Sequence, residues 1–374
     1  MKLIVQPEDG IGPILTALGQ AKKSIHIMIF RIDLSEVERA LTDAAERGVS
    51  VQALVAFTNS GGFKPLRRFE ARLLENGVTV TRTADDLLRY HGKMFIIDRK
   101  ELHVMAFNFS HIDIMLSRSF AVSTLEPKLV RQAMKLFECD AKRRPYKPGH
   151  HEFVVSPENA REQLIKFIEG ARKHLLIYDM KITDRAFVKL LNEKISQGVD
   201  VRIIGRASSS SLFTRELPMR LHARVILRDG NSAFVGSQSL RKLELEVRRE
   251  IGIIFHDRQI VKRMTAVFDK DWSSAVPAIV PDAAMTILDA PAKKVAKVLA
   301  KKIRVAEKVE AALDKMVADS GKEVALEPKE VVESVREAVR DEVRDAVVQA
   351  VQELVTEAAK ATEAPTPAAN NTKT

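Results

Sequence analysis

The sequence of 374 residues contains a single cysteine, Cys139, so it can form no disulfide within the chain and no multi-cysteine zinc site. Aromatic residues make up only 5% of it, too few for an extended platform on which nucleic-acid bases could stack. No run approaches the ~20 apolar residues that cross a bilayer, which argues against an integral membrane enzyme and leaves a peripheral one open. The opening MKLIVQPEDGIGP interrupts its short apolar run with charge and proline, unlike a secretory leader. Together these absences predict a cytoplasmic protein.

Apolar residues form 45% of the chain, enough for sizeable cores. The formal charge is +10, unevenly spread, with about +12 on residues 1–280 and about −2 on the rest. A basic body favours anionic partners such as nucleic acid, phosphate esters or acidic membrane surfaces.

The chain also repeats itself. AKKSIHIMIFRID…RGVSVQALVAF, from Ala21, returns as ARKHLLIYDMKITD…QGVDVRIIGR, from Ala171, at an offset of 150. Further on the offset is 131, pairing His91 with His222, Asp98 with Asp229 and Phe137 with Phe268. The difference places extra residues in the first copy, where GGFKPLRRFEARLLENG reads as a turn and a helix. The second copy has the shorter ASSSSLFTREL there. Strand-like and helical patterns alternate in each copy, as in an α/β unit with a mostly parallel, mixed sheet.

The expected organisation is a first repeat over 1–145, a second over 146–280, a two-helix tail over 281–362 and a disordered end over 363–374. In the tail, valine recurs at every fourth position from Val331 to Val355. Such a stripe drifts ~40° per step around a helix, which suits a coiling partner or self-association. A hairpin packed on the protein's own body fits equally.

Chemistry concentrates where the repeats align best. The first copy has His91-Gly-Lys93, then Asp98, then MAFN ending in Asn108. The second has His222-Ala-Arg224, then Asp229, then GSQS ending in Ser239, at the same spacings. Two copies of H-x-K-x4-D followed by G-S-x-N are the mark of the phospholipase D superfamily, which the chain resembles over about residues 5–275. The resemblance implies two pseudo-symmetric α/β/α halves and a phosphodiesterase that works without metal or cofactor. It also implies a covalent phosphohistidine on the N-terminal copy, His91, with His222 as acid and then base.

The residue types fit such chemistry. Residues two apart on a strand face one side, so each histidine can share a phosphate with Lys93 or Arg224. These cations offset the charge that develops on phosphorus, and Asn108, Ser237 and Ser239 can donate further hydrogen bonds. Glu250 matches the family's acidic residue after the second motif and can orient an imidazole; its counterpart by offset is Ser119. Asp98 and Asp229 are expected to brace loops.

The departures are Met105 and Ala106 for the first Gly-Ser, Arg224 for lysine, and Ser239 for asparagine. Nucleic acid is slightly favoured over phospholipid as substrate. A degenerate duplication that only binds nucleic acid or a protein is the alternative.

Overall fold

The apolar runs become two mixed β-sheets, one in each half. The computed structural model describes residues 1–32, 34–56 and 64–278, which belong to one compact unit, Met1–Val280. The tail helices expected over 281–362, their valine stripe and the end over 363–374 lie outside the described residues.

The first sheet runs Lys2–Gln6, Ser117–Thr124, Glu101–Met105, Met94–Ile97, Ser24–Ile29, Ser50–Val55, Thr79–Arg82. The second repeats that order with Phe153–Val155, Ile251–Phe255, Ser232–Gly236, Arg224–Arg228, His174–Ile182, Asp200–Ala207 and Thr214–Glu216, then adds Val276–Pro277 at its edge. Both sheets are mixed, as expected. Among the strands that each half supplies to its own sheet, parallel pairing lies at the βαβ end, for example Ser24–Ile29 on Ser50–Val55. The motif strands Met94–Ile97 and Arg224–Arg228 lie in the antiparallel part, because tight turns join each to the next strand. The extra segment of the first copy contains the helix Lys64–Glu75.

Three cores stack across the sheets. In Met94–Ile97, Met94 and Ile96 enter a central core while Phe95 and Ile97 enter an outer one. Both faces of this strand are covered, so it reads as an unbroken apolar run. The central core also takes Leu129, Val130 and Phe137 from the helix Pro127–Ala141 and Ile260, Met264 and Phe268 from Arg258–Ser274. Those two helices are therefore sandwiched between the sheets. The helices Gly12–Gly19 and Ser35–Glu46 cover the first sheet outside, and Ala160–Glu169 and Arg185–Ser196 cover the second. Each fully buried aliphatic or aromatic side chain contributes about 1.5–3 kcal/mol.

The aspartates of the two motifs end their strands in the same unusual way. Asp98 and Asp229 have φ of 52° and 51°, in the left-handed region. The Asp98 carboxylate accepts the backbone N–H groups of Lys22, Lys23 and Ser24, and Asp229 accepts those of Arg172, Lys173 and His174. Each motif is thereby tied to the start of its neighbouring strand.

Polar contacts cross between halves in matched pairs. Arg118 donates to Asp271 at 2.7 and 3.0 Å, to the Gln6 carbonyl at 2.7 Å and to Glu8. Arg249 donates to Asp140 at 3.0 and 3.1 Å, to the Ser156 carbonyl at 2.9 Å and to Glu158. Each arginine comes from one half and its buried aspartate from the other. Beside them, Arg89–Tyr90 pairs in parallel with Arg248–Arg249, and Arg220–Leu221 with Ser117–Arg118.

Removing one member of a buried ion pair strands the other. Asp271→Ala and Asp140→Ala should each lower unfolding free energy by about 3–5 kcal/mol, read from urea denaturation midpoints. A loss below about 1 kcal/mol would mean that these pairs are not holding the halves.

Candidate active site

The short cross-half strands deliver both histidines. His91 follows Arg89–Tyr90, and its N–H donates to the Arg249 carbonyl at 2.8 Å; the His222 N–H donates to the Arg118 carbonyl at 3.0 Å. Gly92 keeps the first motif close to the other half, since a Cβ there would come within 2.5 Å of the Ile251 side chain.

The His91 ring is held at both nitrogens. Its Nδ1 lies 3.0 and 2.9 Å from the Glu250 carboxylate, and its Nε2 lies 3.0 Å from the Lys93 ammonium. With Lys93 charged and Glu250 ionised, Nε2 accepts and Nδ1 carries the proton that goes to Glu250. That tautomer leaves the Nε2 lone pair as the nucleophilic position. Lys93 also donates to the His91 carbonyl at 2.7 Å, and Phe30 packs edge-on to the ring with centroids 4.5 Å apart.

Burial dominates the titration of this group. It holds His91 well below the ordinary imidazole value, helped by Lys93, Arg224, Arg248 and Arg89. It also pushes Lys93 down to about 7, against the pull of Glu250. Burial and then the neighbouring Glu244 push Glu250 up to about 7.

His222 is supported by a residue that sequence reasoning missed. Its Nδ1 lies 3.1 Å from Asp113 Oδ2, an ion-pair contact without the geometry of a hydrogen bond. Asp113 also accepts from Arg220 at 2.6 Å and from the backbone and side-chain N–H groups of Asn108 at 2.7 and 2.8 Å. Against the upward push of burial, His222, Arg220 and the Asn108 N–H hold the Asp113 carboxyl well below its usual range. Burial brings His222 down to about 4, with Asp113 opposing. The signal for Asp113 was available, because the offset of 131 sets it opposite Glu244. Ser119, opposite Glu250, donates instead to the His222 carbonyl at 2.5 Å.

Lys93 and Arg224 are both buried, at 2% and 5% exposure. Arg224 Nε donates to the Ser239 hydroxyl at 3.2 Å, while its Nη1 has no hydrogen-bond partner. A buried donor left open in this way is a place for an anion. Ser239 turns its N–H to Glu244 at 2.7 Å. Ser237 is spent on backbone, accepting from the Ile251 N–H at 3.1 Å, and Asn108 donates to Asp113. Among the described residues no cluster of histidine, cysteine and carboxylate side chains is arranged to hold a metal, and no helix is long and apolar enough to cross a membrane.

Residues 14–141 and 164–272 match the family model described as cardiolipin synthase, PLD-like domain. The chain belongs to the phospholipase D superfamily. Among solved structures, this superfamily member is similar to polyphosphate kinase from Porphyromonas gingivalis, with a TM-score of 0.63 and 17% identity over 74% of this chain and 48% of that one. It thus spans about half the length of that kinase. It is also similar to phosphatidylserine synthase from Haemophilus influenzae Rd KW20, with a TM-score of 0.57 and 10% identity over 74% of this chain and 87% of that one. Both likenesses concern the fold. No curated protein sequence matches.

Two buried histidines with depressed values make the fold acid-sensitive. The unfolded chain binds protons on them below about pH 6.5 and the folded one does not, so stability falls as pH drops from about 6.5 towards 4. His222 alone should contribute about 3 kcal/mol to that fall. Asp113→Asn should lower the His222 value further, as read by NMR titration of the ring carbon. A rise would contradict the electrostatic role of Asp113.

Proposed function

We propose that this protein cleaves phosphodiester bonds by double displacement through a phosphohistidine on His91. The reading is carried by reciprocal support: each imidazole is backed by a carboxylate from the opposite half, beside a buried arginine nitrogen that lacks a partner. In the first step the His91 Nε2 lone pair attacks phosphorus as the bond to the leaving oxygen breaks, and His222 gives that oxygen its proton. In the second, His222 takes a proton from water or an alcohol, whose oxygen attacks phosphorus and releases His91.

Lys93 and Arg224 hold the non-bridging oxygens and offset the charge of the transition state. Glu250 keeps the His91 proton on Nδ1 throughout. An anionic diester beside His222 raises its affinity for a proton from the low value of the empty site, so the substrate helps to charge its own acid.

A phospholipid-type diester fits the surroundings better than nucleic acid. Met115, Leu116 and Met219 are 51%, 39% and 37% exposed, and Leu116 and Met219 immediately precede the paired residues Ser117 and Arg220 beside His222. Exposed apolar side chains grouped at a polar site suit an amphiphilic substrate. The basic charge of residues 1–280 is what favours nucleic acid.

An aryl phosphodiester should be hydrolysed in EDTA, and His91→Ala or His222→Ala should each cut the rate about a thousandfold or more. Acid quenching should trap label on His91. No wild-type turnover combined with tight, salt-sensitive DNA binding would favour the degenerate binding protein. Choline release from phosphatidylcholine vesicles should exceed plasmid nicking, and the reverse result would restore nucleic acid as the substrate.

A further inference from the structure

The crossover from the first half to the second stays against the helix that precedes it, Pro127–Ala141. The Arg144 N–H donates to the Cys139 carbonyl at 2.8 Å. The Lys135 ammonium donates to the Lys147 carbonyl at 2.8 Å, and the Gly149 N–H donates to Gln132 at 3.0 Å. Partners that descend from 139 to 135 to 132 mean that the segment runs back along the helix. Pro145 and Pro148 stiffen it. The buried Tyr146 pins it, with its hydroxyl donating to Gln132 at 2.9 Å.

Helix and crossover together present two rows of cations. Lys128, Arg131, Lys135 and Lys142 are exposed at helical angles within about 60° of one another, a straight stripe about 21 Å long. Arg143, Arg144 and Lys147 are exposed along the returning segment. Among the described residues, none of these seven forms an ion pair, because the nearby carboxylates are engaged elsewhere. Glu138 meets Arg99 at 3.0 Å, Asp140 and Glu158 meet Arg249, and Glu152 meets His256 at 3.3 Å. Glu126 caps the helix by accepting the Lys128 N–H at 3.3 Å. Like charges three and four apart on a helix repel, so the stripe does not serve the helix itself.

The repeat provides an internal comparison. At the offset of 131, Lys128, Lys135, Lys142, Arg143 and Arg144 correspond to Gln259, Ala266, Ser273, Ser274 and Ala275. Only Arg131 meets another cation, Lys262. The matching helix Arg258–Ser274 forms without the stripe.

We infer that this strip is a docking surface for the phosphate backbone of duplex nucleic acid, separate from the histidine pair. Its shape and composition select that partner. A straight row about 21 Å long faces about six phosphates on each strand of a duplex, at about 3.4 Å of axis per phosphate. None of the exposed large apolar side chains lies between Lys128 and His151, and Tyr146 is buried with the Lys135 ammonium 5.7 Å from its ring centre. A bilayer surface would draw on apolar anchors as well as charge, and single-stranded bases would need an exposed ring to stack on. Contact with phosphates remains, and it carries no sequence preference. The inference goes beyond the proposed catalysis and does not rest on it, since a duplex held here is held outside the site.

Fluorescence anisotropy with the full chain and a labelled duplex of about 24 base pairs tests the strip. The logarithm of the association constant should fall against that of salt concentration with a slope of about −5, as for about five to six phosphate contacts. Replacing Lys128→Gln, Arg131→Gln and Lys135→Gln together should weaken binding at least about tenfold at about 0.1 M salt and make the slope shallower by about 2.7. Removing the same charge from exposed positions of the matching helix, as Lys262→Gln, Arg263→Gln and Lys270→Gln, should leave affinity and slope nearly unchanged. No duplex binding by wild type, or equal losses in the two triple variants, overturns the strip. Binding to phosphatidylglycerol vesicles that is lost in the first variant, with duplex binding retained there, overturns nucleic acid as the partner in favour of a membrane. Duplex binding that behaves as expected without any hydrolysis of the aryl diester would sink the proposed chemistry and leave the strip standing.

Discussion

Each half of this protein takes part of its histidine's support from the other. The backbone of His91 hangs on Arg249 and its ring on Glu250, while the backbone of His222 hangs on Arg118 and its ring lies against Asp113. Everything else in the site depends on that exchange. The buried arginine–aspartate pairs lie next to the exchanged strands, so the contacts that unite the halves also fix the imidazoles. Assembly and site geometry are one set of interactions.

The duplication has kept its backbone and changed its electrostatics. Strand order, the left-handed aspartates and the arginine pairs recur almost atom for atom. The carboxylates have diverged. Ser119 stands opposite Glu250 in the first half, and Asp113, the counterpart of Glu244, meets the imidazole there while Ser119 donates to the His222 carbonyl. Two histidines at matching positions thus sit in unequal fields, as the proposed nucleophile and acid would require.

Much of this was legible in the chain itself. The offsets of 150 and 131 gave the two halves, and the matched H-x-K/R-x4-D spacings gave the histidines, the cations and the bracing aspartates, because repetition turns a short motif into a geometric constraint. Glu250 was found instead through the resemblance to the family, because its counterpart by offset is Ser119. Asp113 was not, since its counterpart Glu244 serves an arginine cluster and no shared role announced it. Ser237 read as a phosphate donor by spacing, but a hydroxyl beside a strand edge satisfies backbone first, and here it braces Ile251. The balance of parallel and antiparallel strands was hidden because a strand buried on both faces looks the same in either arrangement. The tail lies beyond the described residues, so its valine stripe stays a feature of sequence.

The crossed supports also bear on how the chain is made. Ribosomes deliver His91 long before Glu250, so a nascent or truncated product ending ahead of the second motif carries the imidazole without its carboxylate partner. The His91–Glu250 and His222–Asp113 contacts form only once synthesis has passed the second half. A premature stop or a cut between the halves therefore leaves each imidazole without the carboxylate it meets in the full chain.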